Sequence, residues 1–192
     1  PAIYDRAYLQ SNITGGEGFD WFYADSADRT VQNRTPITDG AAAKPWVFRF
    51  KDLRAWWQNP HFNRAGGVES GTPTAWIPQS KPIWFTELGC PAIDRGTNQP
   101  NVFFDPKSSE SFTPYFSRGW RDDAIQRAYI EATYLFWSAP ANNLVSGATG
   151  ARMVTVPECA AWTWDARPYP FFPELTTVWT DGPNWRRGHW LT

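Results

Sequence analysis

The sequence predicts an α/β fold built from parallel βαβ units. Three short apolar segments, 45–50, 81–87 and 159–165, are predicted as strands, and helical spacing of apolar residues occurs between them at 51–58 and 118–138. Strands that alternate with helices in this way form parallel sheets with right-handed crossovers. Three strands cannot close an eight-stranded barrel, so a complete barrel would need strands that this sequence does not contain.

The clearest strand prediction is the segment Lys81–Glu87. It is nearly all apolar until its last residues and lies between Pro78 and Gly89, as is typical of a strand buried on both faces of a parallel sheet. The longest predicted helix covers 118–138, where Asp122 and Asp123 favour the helix dipole. Its apolar positions recur at helical spacing: Ile125, Ala128, Tyr129, Ala132, Leu135 and Phe136. A short helix is predicted over 4–13, and irregular structure over 14–43, 59–80, 88–117 and 139–158.

Composition limits the classes of function. The 192 residues include 18 basic and 19 acidic side chains, a balance that argues against a nucleic-acid binder. No segment approaches the roughly 20 apolar residues that span a bilayer. The chain contains 13 Trp, and an indole ring can serve a core or stack on the C–H face of a sugar. We therefore expect either a carbohydrate-binding surface or an unusually tryptophan-rich core.

The cysteines and histidines predict neither a disulfide nor a metal or cofactor site. Cys90 follows the predicted strand 81–87, whereas Cys159 begins the next strand. Parallel neighbours would place the two residues at opposite ends of the sheet, roughly 17 Å apart. A disulfide allows a Cα separation of only about 4.4–6.8 Å. His61 and His189 lack the spacing of metal ligands, so zinc is not expected.

Glu87 is the strongest candidate for a catalytic residue. It ends an apolar strand, where a buried carboxylate is costly unless water or a partner stabilises its charge. Trp84 and Phe85 could supply a partly apolar wall beside it. From the residues alone, Glu87 could equally cap the following loop or form an ion pair with Arg49.

Longer runs of the sequence resemble known families. The run KPIWFTELG (81–89) resembles the seventh strand of the large clan of retaining glycoside hydrolases, and AWTWD (161–165) resembles its eighth strand. Over almost the whole chain, KPIWFTELGCPAIDRGTNQPNVFFDPKSSES, AWTWDARPYPFFP and DGPNWRRGHWL resemble the TIM-barrel-like domain of gene transfer agent tail proteins, which are baseplate proteins of phage-like particles. The resemblance implies that 1–192 is the C-terminal part of a (β/α)8 TIM barrel, with its N-terminal strands upstream.

The resemblance also implies roles for the strand-end residues. Glu87 would be the nucleophile of a retaining mechanism, and the acid/base carboxylate would end a fourth strand upstream of Pro1. Trp164 is the predicted sugar platform, because it is nearest the end of its strand, and Trp84 is a further aromatic contact. No cofactor is implied. Without its acid, this segment alone is expected to lack glycosidase activity.

Two further polar residues are predicted at the sugar site with alternatives left open. Asp165 either approaches Glu87 as a second carboxylate or pairs with Arg167, two residues along the chain. Arg49 either keeps the Glu87 carboxylate ionised or faces solvent.

Three functions are compatible with these observations. The chain could belong to an active glycoside hydrolase that acts on surface or cell-wall polysaccharide, to a catalytically inactive barrel that grips such a polysaccharide, or to a rigid structural module of the baseplate. The expected partners are polysaccharide and other tail or baseplate proteins. The expected location is the tail of a phage-like particle, made in the bacterial cytoplasm and acting at the cell surface.

Overall fold

The computed structural model describes residues 3–103, 109, 111–162 and 167–187. The chain divides into two compact units. One, the helical unit, comprises Pro1–Leu9, Trp84–Ser138 and Val156–Thr192, and the other, the hairpin unit, comprises Gln10–Ile83 and Ala139–Thr155. Helix α1 (Arg6–Ser11) contributes residues to both. Within the described residues, no helix is both long enough and apolar enough to cross a bilayer.

The hairpin unit contains two short antiparallel ladders and two short helices. Strand β1 pairs with β2, and β3 pairs with β4. The elements in chain order are β1 (Trp21–Phe22), α2 (Ser26–Val31), β2 (Thr35–Pro36), α3 (Leu53–Gln58), β3 (Phe62–Ala65) and β4 (Val68–Pro73), with 3₁₀ turns at Gly40–Ala42 and Pro45–Val47. The helix predicted over 51–58 is thus present. The irregular structure predicted over 14–43 is interrupted by short elements, and the loop predicted over 59–80 contains the β3–β4 hairpin.

The β3–β4 hairpin depends on its turn and on one charged cluster. Gly66 and Gly67 have φ angles of +61° and +82°, which a two-residue hairpin turn requires and side-chain-bearing residues rarely adopt. Arg64 donates to both carboxylate oxygens of Asp39, at 2.5 and 2.7 Å, and to Glu69 at 2.8 Å. The hydrogen bond from Arg64 lowers the pKa of Asp39, and one from Lys44 lowers the pKa of Glu69.

The helical unit is organised around α4 (Asp123–Ser138), with α5 (Phe171–Glu174), α6 (Gly182–Arg186) and 3₁₀ turns at Gly96–Asn98 and Val156–Glu158. Helix α4 begins after Asp122, whose carboxylate accepts from the backbone N–H of Ile125 at 3.0 Å and from the Tyr4 hydroxyl at 2.6 Å. Ile125, Ala132 and Trp137 are buried, so one face of the helix packs on the core of this unit. The predicted helix over 118–138 is therefore confirmed, with a later start.

Two of the predicted strands each contribute one residue to a parallel pairing, Ile83 and Ala161, but each pairing is an isolated bridge whose partner lies outside the predicted strands. In the hairpin unit Ile83 pairs with Val154, and in the helical unit Leu88 pairs with Ala161, both in parallel. Neither bridge extends into a ladder, and the described residues form no closed barrel. The continuous strands predicted over 81–87 and 159–165 are thus absent from the described residues.

The third predicted strand, 45–50, is a run of local turns. Pro45 opens a 3₁₀ turn, and the N–H groups of Val47 and Phe48 donate to carbonyls three residues back, at 3.0 Å each. These bonds use the donors that a strand would offer to a neighbour, and proline favours the first position of a helical turn. The two cysteines, Cys90 and Cys159, are both free, as predicted.

Candidate functional site

Glu87 lies on a segment of backbone that is fixed on both sides. The carbonyl of Phe85 accepts from the N–H of Ala160 at 2.9 Å, and the N–H of Leu88 donates to the carbonyl of Ala160 at 2.9 Å. Leu88 is buried, and the ring of Phe85 packs at 6.0 Å from the ring of Trp137 on α4. The backbone of Glu87 is therefore positioned by contacts made by the residues on either side of it.

The Glu87 side chain itself is exposed. Among the described residues it makes no hydrogen bond and no ion pair. Trp84, three residues earlier, is 57% exposed. The segment is therefore not buried on both faces, which differs from the environment that its apolar sequence predicted.

Two of the predicted site residues, Trp164 and Asp165, lie outside the described residues. Arg167, which was considered as a partner of Asp165, donates to the carboxylate of Asp181 at 2.6 Å. Its guanidinium also lies 3.5 Å from the centre of the Phe172 ring. Asp181 is buried, so Arg167 neutralises a carboxylate that would otherwise be costly to bury.

Arg49 follows the 3₁₀ turn at Pro45–Val47 and is not at the end of a strand. Its Nη1 atom lies 3.7 Å from Oδ2 of Asp52, and its guanidinium lies 5.2 Å from the centre of the Phe19 ring. The sequence left two roles open for this arginine, pairing with Glu87 or facing solvent, and within the hairpin unit its ion pair is with Asp52. Arg49 lines a cleft within the hairpin unit.

That cleft has a volume of about 560 Å³, within the roughly 300–1,000 Å³ that is typical of small-molecule sites. Its wall is mostly aromatic and aliphatic, with three charged side chains. The lining residues are Trp46, Val47, Arg49, Phe50, Asp52, Leu53, Trp56, Trp76, Lys81, Pro82 and Ile83. We call this the tryptophan cleft.

Helix α3 positions one wall of the tryptophan cleft. Asp52 caps the helix by accepting from the N–H of Ala55 at 3.1 Å. Trp57 is 1% exposed, and its indole N–H donates to the carbonyl of Lys81 at 2.7 Å. With Trp57 held in this way, the preceding residue, Trp56, lines the cleft and is 42% exposed.

The other aromatic residues of the cleft support one another. The rings of Trp56 and Trp76 lie 5.0 Å apart, and His61 stacks on Trp76 at 5.2 Å with an interplanar angle of 11°. The ring of Phe50 packs against Gly18, where an added Cβ would lie 2.1 Å from the ring. These contacts restrict the rings before any ligand binds, which lowers the entropy that binding would cost.

The polar groups of the cleft include hydrogen-bond donors without acceptors. The side chain of Arg49 is only 24% exposed and makes no hydrogen bond within the described part of the chain, because 3.7 Å to Asp52 is too long for one. The indole N–H of Trp76 is likewise buried without an acceptor. Native proteins satisfy most buried donors, so two such groups in one cleft are unusual.

The tryptophan cleft was not predicted from the sequence. Trp56 and Trp57 were predicted to lie on one helix, without distinction between the buried residue and the exposed one, and Trp76 lay in a segment predicted as loop. The capping residue Asp52 was an available signal for the helix start. Residues 76 and 81–83 come close to this helix only through tertiary contacts, which no local sequence pattern predicts.

Comparison with known proteins gives one family and a group of more distant relatives. The family model described as the GTA TIM-barrel-like domain matches residues 1–173. Proteins of Mycobacterium bovis and Mycobacterium tuberculosis named "Putative S-adenosyl-L-methionine-dependent methyltransferase" are 29% identical to this chain, over 78% of the chain and 52% of their own length. The chain thus spans about half the length of the curated relatives it matches.

Proposed function

Because this chain belongs to the GTA TIM-barrel-like domain family, we propose that it is the glycoside-hydrolase-like part of a tail protein of a phage-like particle. Its substrate class is cell-surface or cell-wall polysaccharide, and Glu87 is its nucleophile. The observation that carries this proposal is the exposed carboxylate of Glu87 on a backbone fixed by its neighbours, with no partner among the described residues to occupy it.

The proposed chemistry is a retaining displacement. A carboxylate oxygen of Glu87 forms a bond to the anomeric carbon while the bond from that carbon to the leaving oxygen breaks, and an acid protonates the leaving oxygen. Water, deprotonated by the same acid/base group, then attacks the anomeric carbon and releases Glu87. We assign the acid/base carboxylate to an upstream strand of the parent protein, outside this sequence.

Three further residues belong to the proposal as contacts for the sugar. Trp84 offers an exposed ring three residues before Glu87. Trp164 and Asp165, which lie outside the described residues, are proposed as a sugar platform and a polar contact. The baseplate location and the binding of other tail proteins are part of the same proposal, and membership of a gene transfer agent domain family supports them.

The test is hydrolysis by the purified parent protein on a panel of bacterial surface glycans. Glu87→Gln removes the nucleophile while preserving the shape of the side chain, and we expect turnover to fall at least 10³-fold, about 4 kcal/mol of barrier. Glu158→Gln is the matched control, because Glu158 is another exposed glutamate of the helical unit. Equal activity of the two variants would refute the role of Glu87.

The same assay distinguishes the proposed hydrolase from a second candidate function, an inactive module that binds polysaccharide or is purely structural. Glycan binding without turnover by the wild-type parent protein would support that candidate. The aromatic wall of the tryptophan cleft favours it, because such a wall serves binding without any catalytic carboxylate. The mycobacterial relatives are 29% identical to this chain and are matched over 52% of their length, which is too little to carry an activity over to it.

A further inference from the structure

We propose that the tryptophan cleft is a separate carbohydrate-binding site, and that its ligand is an oligosaccharide bearing carboxylate groups, such as a chain of uronic acids. Binding there does not depend on hydrolysis at Glu87. The residues that line the cleft all fall within 46–83, so the site lies wholly within the hairpin unit.

The aromatic wall favours a sugar. A pyranose ring presents C–H groups on its faces and hydroxyls around its edge, so it is bound by a flat aromatic surface bordered by hydrogen-bonding groups. Trp56 offers such a surface, because it is 42% exposed and backed by Trp76 at 5.0 Å. The ring is amphipathic, with an indole N–H at its edge, and it retains few internal degrees of freedom.

Arg49 favours a carboxylate on that sugar. A guanidinium offers five N–H donors in a planar fork that matches the two oxygens of a carboxylate. The Arg49 side chain as a whole is 24% exposed, its Nε–H is buried without an acceptor, and its guanidinium forms no hydrogen bond within the described residues. Asp52 does not satisfy it, because one of its oxygens caps α3 and the other is 3.7 Å away.

The charge of the cleft also favours a ligand that carries a carboxylate. Its ionisable lining residues are Arg49, Asp52 and Lys81, which leaves one positive charge in excess. A neutral oligosaccharide would leave that charge uncompensated in a largely apolar wall, whereas a uronate would neutralise it. A carboxylate that pairs with Arg49 also forms charge-assisted hydrogen bonds, which are stronger than those to a neutral hydroxyl.

The experiment titrates the full chain with oligogalacturonate and with a neutral maltooligosaccharide of equal length, using calorimetry. We expect oligogalacturonate to bind at least tenfold more tightly, and this preference to shrink as salt rises. Trp56→Ala should weaken uronate binding at least tenfold. Arg49→Gln should remove the preference over the neutral sugar, and Arg49→Lys should restore only part of it because lysine lacks the fork.

Trp120→Ala is the matched control, because Trp120 is 63% exposed and does not line the cleft. It should leave the affinity for oligogalacturonate unchanged, and circular dichroism should confirm that every variant is folded. Absence of binding, equal affinity for the two sugars, or a loss that is the same for Trp120→Ala and Trp56→Ala would overturn the proposal. If another segment of the parent protein occupies the cleft, the parent protein will not bind uronate at this site, and that result would also overturn the proposal.

Discussion

Replacement of Trp57 tests how helix α3 is held beneath the tryptophan cleft. The side chain is 1% exposed, and its N–H donates to the carbonyl of Lys81 at 2.7 Å. Trp57→Ala removes nearly all of the buried ring, and such changes cost about 3–5 kcal/mol of unfolding free energy. Trp57→Phe keeps an aromatic ring but loses the hydrogen bond, so we expect a smaller cost of about 1–3 kcal/mol.

The adjacent residue, Trp56, is an internal control because it lies on the same helix but is 42% exposed. Trp56→Ala should cost less than half as much as Trp57→Ala. The measurement is equilibrium urea unfolding followed by far-ultraviolet circular dichroism, since removing a tryptophan changes the fluorescence signal. A cost below about 1 kcal/mol for Trp57→Ala, or equal costs at 56 and 57, would show that Trp57 does not anchor the helix.

Two more predictions concern titrating groups. Burial raises the pKa of the Cys90 thiol well above its usual range, so iodoacetamide at pH 8 should label Cys159 before Cys90. Labelling is followed by mass spectrometry, and faster labelling of Cys90 would contradict its burial. Cationic partners lower the folded-state pKa of Asp39 and Glu69. Their stabilisation is therefore complete above about pH 5, beyond the ordinary pKa of both carboxyls, and is lost as the pH falls through the lowered values. Melting temperatures between pH 6 and 2.5 should therefore fall less steeply in Asp39→Asn than in wild type, and parallel curves would refute this role of Asp39.

Helix α4 shows what the sequence could predict. Its apolar spacing was long and regular, and regular spacing over several turns is the most reliable signal of a helix. Its predicted start at 118 was too early, because Gly119 has a φ of +77° and the capping carboxylate belongs to Asp122. Caps are local features, so the correct boundary was present in the sequence.

The segments 45–50 and 59–80 show where such reasoning fails. An apolar hexamer beginning with Pro45 satisfies a strand pattern and a run of 3₁₀ turns equally well, and only a neighbouring strand could decide between them. Phe50 is 74% exposed, so its apolar character did not imply burial on both faces. The hairpin between Phe62 and Pro73 lacks alternating apolar residues, although Gly66-Gly67 was a sufficient signal for its turn.

The two candidate sites differ in the same way: one could be predicted from local sequence and the other could not. Glu87 was identified from a strand-end carboxylate and a resemblance, both of which are local in sequence. The tryptophan cleft joins Arg49, Trp56, Trp76 and Lys81, which approach one another only after the hairpin unit has folded. Tryptophan content alone could indicate that a binding surface exists, but not which rings would form it.

The most direct test of the central claim is to trap the covalent intermediate at Glu87. The parent protein is incubated with a 2-deoxy-2-fluoro glycoside that carries a good leaving group. The fluorine slows both formation and hydrolysis of the glycosyl-enzyme, and the leaving group speeds only its formation, so the intermediate accumulates. We expect peptide mass spectrometry to find one added glycosyl group, on the carboxylate of Glu87. Hydrolysis with an adduct on a different carboxylate, or with inversion at the anomeric carbon, would contradict it.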